Sequence, residues 1–114
     1  MENYLSKIVV DTCYQVHIGL GPGLFESVYE EVLHYELCRQ GLQVKRQYPV
    51  PIMWRGVEMK LGFRADLIVE DLVLIEIKSV KSLEPVHKKQ LMTYLKLTGF
   101  KLGLLVNFNE ALIK

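Results

Sequence analysis

Two apolar runs, residues 57–69 and 72–79, follow each other with only Glu70 and Asp71 between them. Their composition favours extended structure and the short polar link favours a turn, so the two runs predict an antiparallel pair of strands. The second run is apolar on both faces and is therefore expected at the centre of a sheet. Other parts of the chain must then supply the helices that cover this hairpin.

Among the charged side chains of these two runs, three lie within the most apolar, strand-like sequence: Asp66 in the first run, and Glu76 and Lys78 in the second. Taking a carboxylate or an ammonium out of water costs several kcal/mol unless a partner or a metal compensates for the lost hydration. Because side chains alternate along a strand, Glu76 and Lys78 share one face. Asp66 joins them if the loop has an odd number of residues or a bulge, and we expect it nearly opposite Glu76.

Two carboxylates that meet at a strand edge form an oxygen-rich site, which suits Mg²⁺ or Mn²⁺ better than Zn²⁺. A neighbouring lysine can stabilise negative charge on a phosphate or orient an attacking water. A buried network of ion pairs that holds the hairpin together explains the same three residues. Their spacing alone leaves both interpretations open.

Helical and extended patterns alternate along the rest of the chain, and glycine or proline stands at several of the boundaries. The predicted elements are helices over 3–18 and 22–40, strands over 42–48, 57–69 and 72–79, a helix over 85–98 and a strand over 101–108. Sheet strands followed by a crossover helix and another strand predict an α/β fold with a mixed sheet covered by helices.

Two of the predicted helices carry polar residues on faces that should meet the sheet. On a helical wheel Glu26 falls within the apolar arc, whereas Glu30 and Glu31 fall on the polar side. Glu26 can therefore complete a metal shell at the margin of the sheet, or accept N–H groups of the first helical turn. Gln90 and Tyr94 share one face of the last helix, where they can bond a carboxylate or a phosphate, or be satisfied core groups.

Charge is distributed unevenly although the net charge is only +1. Residues 1–44 carry two basic and six acidic side chains, whereas residues 45–114 carry twelve and seven. A polyanion would meet the second part of the chain, but an ordinary solvated surface accounts for the same lysines. Trp54 and Arg55 could stack on a base, although one exposed aromatic is a weak indication.

The chain has 114 residues, the size of one domain, and we expect a single domain over 1–114. No stretch approaches the ~20 apolar residues of a membrane span, and the N-terminus shows no signal-peptide pattern. Cys13 and Cys38 are too few for a disulfide framework and are expected to be small buried apolar groups. We therefore expect a cytoplasmic protein without membrane association.

The segment Gly23-Leu-Phe-Glu26-Ser-Val-Tyr29 resembles the signature of the small GxxExxY proteins. The order Asp66, Glu76-Ile-Lys78, Gln90 and Tyr94 resembles the active-site pattern of the PD-(D/E)XK nuclease superfamily, including the Gln-x-x-x-Tyr helix of its RecB-like members. The resemblance covers almost the whole chain.

This resemblance implies a restriction-endonuclease-like core of a helix, three strands, a helix and a strand, with an extra N-terminal helix. The site residues that it implies are Asp66, Glu76 and the Ile77 carbonyl as metal ligands, Glu26 as the helix acid, Lys78 as the catalytic lysine, and Gln90 with Tyr94 as a supporting pair.

The function expected from the residues and the resemblance together is that of a nuclease that uses Mg²⁺ or Mn²⁺ and cuts DNA rather than RNA. A chain this short has little room for a separate DNA-reading element, so a partner or a homodimer would supply the rest of the groove. One alternative is a catalytically silent module of the same fold that binds nucleic acid or a protein. A small-molecule-binding protein is a third class, because a fold does not fix a function.

Overall fold

The computed structural model of the chain describes residues 2–110. The elements before the central hairpin are α1 (Glu2–Leu20), α2 (Glu26–Arg39), β1 (Val44–Val50), β2 (Met53–Trp54) and β3 (Val57–Glu58). The remaining elements are β4 (Phe63–Val69), β5 (Val73–Lys78), α3 (Pro85–Thr98) and β6 (Leu102–Asn107).

Four of the strands form one mixed sheet in the order β1-β4-β5-β6. β4 runs antiparallel to both β1 and β5, whereas β6 runs parallel to β5 after the crossover through α3. Helices flank this sheet, so the structure confirms the predicted α/β class and is consistent with a restriction-endonuclease-like fold. The two short strands β2 and β3 form a separate ribbon.

The β4–β5 hairpin has the register that the sequence predicts. Val69 pairs with Val73 and Leu67 with Ile75, so three residues form the loop. Two of them, Glu70 and Asp71, have φ angles of 54° and 55°, which is the left-handed conformation of a primed turn. One further step along this register places Asp66 opposite Glu76.

The two faces of the sheet bury separate hydrophobic clusters. Helices α1 and α2 cover the first face, where the Tyr29 and Phe108 rings stack with centroids 4.5 Å apart. The sheet residues of this cluster are Leu67, Val69, Val73, Ile75, Ile77 and Val106. Helix α3 covers the second face, where Leu91 packs with Val50, Ala65, Ile68 and Leu74. Each face of the hairpin is therefore closed by its own helical layer.

Helix α2 begins at Glu26, four residues later than the start predicted at Pro22. The intervening turn contains Gly23 with φ of 99°, a backbone conformation that L-residues rarely adopt. The buried Tyr29 hydroxyl donates to the Gly21 carbonyl and accepts the Leu24 N–H at 3.2 Å. These bonds fix the turn in place of a further helical turn.

The single strand predicted over 57–69 is interrupted between Glu58 and Phe63. Its first part pairs instead with β2, through a two-residue turn in which Arg55 and Gly56 have φ of 50° and 79°. Such primed turns match the twist of a two-stranded ribbon. The sequence prediction missed this ribbon because β2 and β3 are only two residues long.

The environments of the two cysteines differ. Cys13 is buried, and burial raises the pKa of its thiol to about 12, so it is a protonated, inert core group. Cys38 is exposed, so the expectation that it is buried was wrong.

No helix within residues 2–110 combines the length and apolar character that crossing a bilayer requires.

Gly62→Ala is expected to lower the free energy of unfolding by about 1–3 kcal/mol. A Cβ at position 62 would overlap the Val50 carbonyl oxygen and would lie 3.2 Å from the Pro51 Cα, so backbone must move. Gly19→Ala is the matched control, because a Cβ there meets no atom within 4 Å. Urea unfolding followed by circular dichroism measures both. Equal stability of the two variants would contradict the assigned packing.

Candidate active site

Glu76 lies on the central strand β5, where its side chain is half-buried. Its Oε1 atom is buried and has no hydrogen-bond partner within residues 2–110. The pKa of this carboxyl is raised to about 7, with burial as the largest cause and repulsion from Asp66 as the next. Glu26 adds to the increase, while Lys78 and the backbone N–H of Asp66 oppose it. The charge of this carboxylate is thus only partly stabilised by its surroundings.

Asp66 lies on β4, across the hairpin from Glu76. Its Oδ2 accepts the backbone N–H of Ile77 at 2.7 Å, and its Oδ1 accepts the Gln47 side-chain amide at 3.2 Å. The two acids are therefore linked through the backbone in both directions, since the Asp66 N–H faces the Glu76 carboxylate. The expectation that they lie opposite one another is confirmed.

The backbone of the sheet departs from regular alternation at Asp66. Residues two apart on a strand should share a face, yet Ala65 packs under α3 whereas Leu67 packs under α1 and α2. The residue of β1 opposite Asp66 is Gln47, which has a φ of 44° in the middle of a strand. A left-handed residue in this place marks local strain, which proteins tend to retain at functional sites.

Glu30 extends the acidic cluster from helix α2. It is buried, and its carboxylate binds the Arg46 guanidinium at 3.1 Å as well as the Gln47 side-chain amide. The prediction that Glu30 lies on the polar side of its helix was wrong, because β1 packs against that side and supplies both partners. Gln47 consequently joins Glu30 to Asp66, a connection that no local sequence pattern predicts.

Glu26 is exposed and does not point into the core as the helical wheel suggested. Its Oε2 accepts the backbone N–H of Ser79 at 3.1 Å, and the Ser79 hydroxyl donates to the Leu24 carbonyl at 2.6 Å. Both contacts tie the start of α2 to the residue that follows Lys78. Glu26 therefore borders the site and is close enough to raise the pKa of Glu76.

Asn107 fixes the backbone on the other side of the same segment. It is fully buried at the end of β6, directly beside Lys78 in the parallel ladder. Its side-chain amide accepts the N–H of Val80 and donates to the carbonyl of Val80, each at 3.0 Å. Asn107 is not among the site residues predicted from the sequence, although an asparagine at the end of an apolar strand pattern is a signal for such a residue.

The predicted pair on α3 is only partly brought to the site. The half-buried Tyr94 stacks on Phe63 with ring centroids 4.0 Å apart and planes within 4°. Gln90 is exposed, so the predicted core-facing stripe is not complete. A supporting role for these two residues stays a prediction.

The donors present suit a hard divalent cation. Asp66 and Glu76 offer carboxylate oxygens and Ile77 a backbone carbonyl, and the Oε1 of Glu76 has no hydrogen-bond partner among residues 2–110. No group of three His, Cys, Asp or Glu side chains in residues 2–110 is placed to hold one ion. Two carboxylates, a carbonyl and water match Mg²⁺, which keeps several waters when proteins bind it.

A mixed sheet between helical layers, with two acids and a lysine gathered on its central hairpin, defines a protein of the nuclease-like α/β class. A sequence model described as the PD-(D/E)XK nuclease superfamily matches residues 3–114. The chain belongs to this superfamily. Its members are nucleases in general, act on nucleic acid and generally use divalent metal ions. Neither the search of curated proteins nor the search of solved structures found a match.

In metal-free buffer, the free energy of unfolding is expected to fall as the pH rises from about 5 to about 8. Folded Glu76 has its pKa raised from 4.5 to about 7, so the folded state holds this proton more tightly than the unfolded chain does. The stabilisation is complete below the unfolded pKa and is lost as the pH rises through the folded pKa.

Glu76→Gln should remove this pH-dependent contribution, on the order of 3 kcal/mol, because glutamine does not titrate. Glu31→Gln is the control, since Glu31 is an exposed acid on α2. Urea unfolding at a series of pH values in the presence of a chelator measures the slope. The same slope in the wild type and in Glu76→Gln would show that another group titrates.

Proposed function

We propose that this chain is a metal-dependent nuclease that hydrolyses phosphodiester bonds, with DNA rather than RNA as its substrate. The observation that carries the proposal is the carboxylate of Glu76, which is placed beside a second acid and a lysine while one of its oxygens stays unpartnered. Buried polar atoms are nearly always satisfied in proteins, and an unsatisfied one is commonly explained by a bound water or ion or by a catalytic role. Membership of the superfamily supports the same function.

The rival explanation, a structural network of ion pairs, fits the site less well. Within residues 2–110, the ion pairs closer than 4.0 Å are Arg39–Glu36, Lys45–Asp71 and Arg46–Glu30. None of them includes Asp66, Glu76 or Lys78. Charges that serve only to hold a hairpin would be paired with one another, because an unpaired buried charge destabilises the fold.

Asp66, Glu76 and the Ile77 carbonyl are the proposed ligands of Mg²⁺ or Mn²⁺, with Glu26 at the margin. When bound, such an ion supplies a polarised phosphoryl oxygen and a water of lowered pKa. The chain's own contribution is to hold the two carboxylates across one hairpin. The Ile77 N–H fixes the Asp66 carboxylate, and burial leaves the charge of Glu76 incompletely stabilised, so that a bound cation would compensate for it.

Lys78 is the proposed electrostatic catalyst. It is half-buried two residues after Glu76, so both side chains lie on the same face of β5. Hydrolysis forms a bond between water oxygen and phosphorus and breaks the bond to the leaving oxygen, while negative charge grows on the phosphate. A fixed ammonium beside that charge lowers the barrier. Glu26 and Asn107 support this role by holding Ser79 and Val80, which follow the lysine.

We infer membership of the GxxExxY group within the superfamily from the structural part played by each motif residue. Gly23 adopts a φ of 99°, and the Glu26 carboxylate accepts the N–H of Ser79. The Tyr29 hydroxyl donates to the Gly21 carbonyl and so holds the turn that precedes α2. The motif thus positions one acid beside the catalytic hairpin. A supporting role for Gln90 and Tyr94 belongs to the same proposal.

Three further features belong to this proposal. We place the protein in the cytoplasm, where the free thiols of Cys13 and Cys38 stay reduced. We treat residues 1–114 as one nuclease-like domain.

We also propose a homodimer, because Ile18 and Phe25 expose 75% and 83% of their surface near the start of α2. Self-association would remove such apolar surface from water.

A catalytically silent binding module is the second candidate. The exposed positions of Glu26 and Gln90 favour it, because the six predicted site residues do not all converge in one place. Activity measurements distinguish the two candidates directly.

The wild type with Mg²⁺ or Mn²⁺ is expected to cleave DNA, and to cleave RNA more slowly. Asp66→Asn, Glu76→Gln and Lys78→Ala should each reduce the rate by at least about 100-fold, because each removes a charge next to the reacting phosphate. Gel analysis of labelled single- and double-stranded substrates measures the rates. Faster cleavage of RNA would reverse the substrate assignment.

Asp71→Asn and Lys101→Ala are the matched controls for these substitutions. Asp71 lies in the hairpin turn, and Lys101 precedes the β6 residue that pairs with Val73, so both lie at the opposite end of β5 from Lys78. Their cleavage rates should match that of the wild type. Equal rates in all the variants would reveal a contaminating nuclease and exclude the proposed site.

Mn²⁺ is expected to bind the wild type, and Glu76→Gln should weaken that binding at least about tenfold by replacing a carboxylate ligand with a neutral amide. Isothermal titration calorimetry measures the affinity, and Glu31→Gln is the control of identical chemistry. Unchanged affinity in Glu76→Gln would place the metal elsewhere.

A further inference from the structure

The ribbon formed by β2 and β3, with its Arg55–Gly56 turn, projects an apolar and basic surface that the catalytic hairpin does not use. We call residues 53–58 the arm. Trp54 exposes 56% of its surface there, and Met53 and Val57 are also exposed. Large apolar side chains gathered on an exposed ribbon generally mark a surface that binds something.

We propose that the arm holds a single nucleic-acid strand, with a base stacked on Trp54 and phosphates bound by Arg55, Lys60 and Arg64. This inference rests on the proposed function, since it names how the substrate of that site is held. It adds a binding surface outside the hairpin that carries the acids.

The tip of the arm presents charge and an aromatic ring together. The Arg55 guanidinium carbon lies 5.5 Å from the centroid of the Trp54 ring, which is within the range of a cation–π contact. The turn places Arg55 and Gly56 in left-handed conformations and sets Trp54 directly opposite Val57. A ring with a guanidinium beside it suits a base and its phosphate, because every base offers a stacking face.

A groove extends from Glu58, the last residue of the arm, to the first residues of β4. Its volume is about 480 Å³, and the end of β1, the end of β3, the 59–62 loop and the start of β4 line it. Lys60 and Arg64 are its basic residues, and Glu58 lines it as well. Arg64 stands two residues before Asp66 on β4, a separation of about 7 Å along a strand. The groove therefore ends on the strand that carries Asp66.

Charge favours nucleic acid over a protein partner as the occupant. The arm and groove residues 52–64 contain Arg55, Lys60 and Arg64 against the single acid Glu58. By contrast, the exposed apolar side chains of α1, such as Tyr14 and Ile18, belong to the part of the chain in which acids predominate. Among these apolar surfaces, the arm is the one whose charge complements phosphates.

Trp54 is the only tryptophan of the chain, so intrinsic fluorescence reports directly on the arm. An oligothymidine added in a chelating buffer, which prevents metal-dependent cleavage, should quench the fluorescence in a saturable manner at low salt. Affinity is measured independently by the fluorescence anisotropy of a labelled oligonucleotide.

Trp54→Ala is expected to weaken binding about 5- to 150-fold, the range that loss of one stacked base produces. Trp54→Phe should retain affinity within about fivefold, because phenylalanine also stacks. Arg55→Ala should lower the slope of log affinity against log salt by about 0.7, corresponding to one phosphate contact on a single strand. Tyr35→Ala removes another exposed aromatic, on α2, and should leave binding unchanged.

The outcomes separate this inference from the proposed function. If the wild type cleaves DNA but Trp54→Ala binds the oligonucleotide as tightly as the wild type, the arm proposal fails and the nuclease proposal stands. If the wild type binds through Trp54 but never cleaves, the reverse holds. No oligonucleotide binding at low salt, or self-association that Trp54→Ala abolishes, overturns the arm proposal in favour of a protein contact.

Discussion

The placement of a carboxylate on the apolar central strand of a sheet is the constraint on which the rest of this structure depends. Glu76 is stable there only because its surroundings compensate in part: Lys78 lies on the same face, and the Asp66 N–H faces its carboxylate. The compensation is incomplete, since Oε1 has no partner and the pKa rises to about 7. Folding therefore leaves the negative charge of the Glu76 carboxylate incompletely compensated, and a divalent cation compensates for it better than a proton does.

The sequence was sufficient for those features that depend on local period and on turn chemistry. The three-residue loop of the hairpin follows from the requirement that Asp66 and Glu76 meet, and Gly99 ends α3 in a left-handed conformation, as its position predicted. The parallel direction of β5 and β6 follows from the crossover helix between them. These features are set within a few residues of the groups that they position, so one sequence contains enough information to place them.

Features that depend on packing between separate elements could not be predicted from the sequence. A helical wheel ranks Glu30 as polar and Glu26 as inward-facing, but it contains no information about β1, which supplies Arg46 and Gln47 as partners for Glu30. Likewise, α2 starts late because Tyr29 bonds backward to the glycine turn, and Asn107 acquires its role only when β6 lies beside β5. Residues separated by 27 positions or more make several of these contacts, and no local pattern encodes them.

The amide clamp of Asn107 on Val80 has a consequence for the order in which a newly made chain acquires its site. A ribosome releases residues in sequence, and local hairpins form long before parallel pairing with a later strand is complete. The acids of β4 and β5 can meet as soon as their hairpin has emerged, and Glu26 is by then available to bind Ser79. Val80, by contrast, gains its two contacts only when Asn107 is free to dock. A chain interrupted during translation before that residue would thus contain both acids, while the segment after Lys78 would be held on one side only. The site is therefore complete only after the last strand of the sheet has been synthesised and has paired with β5.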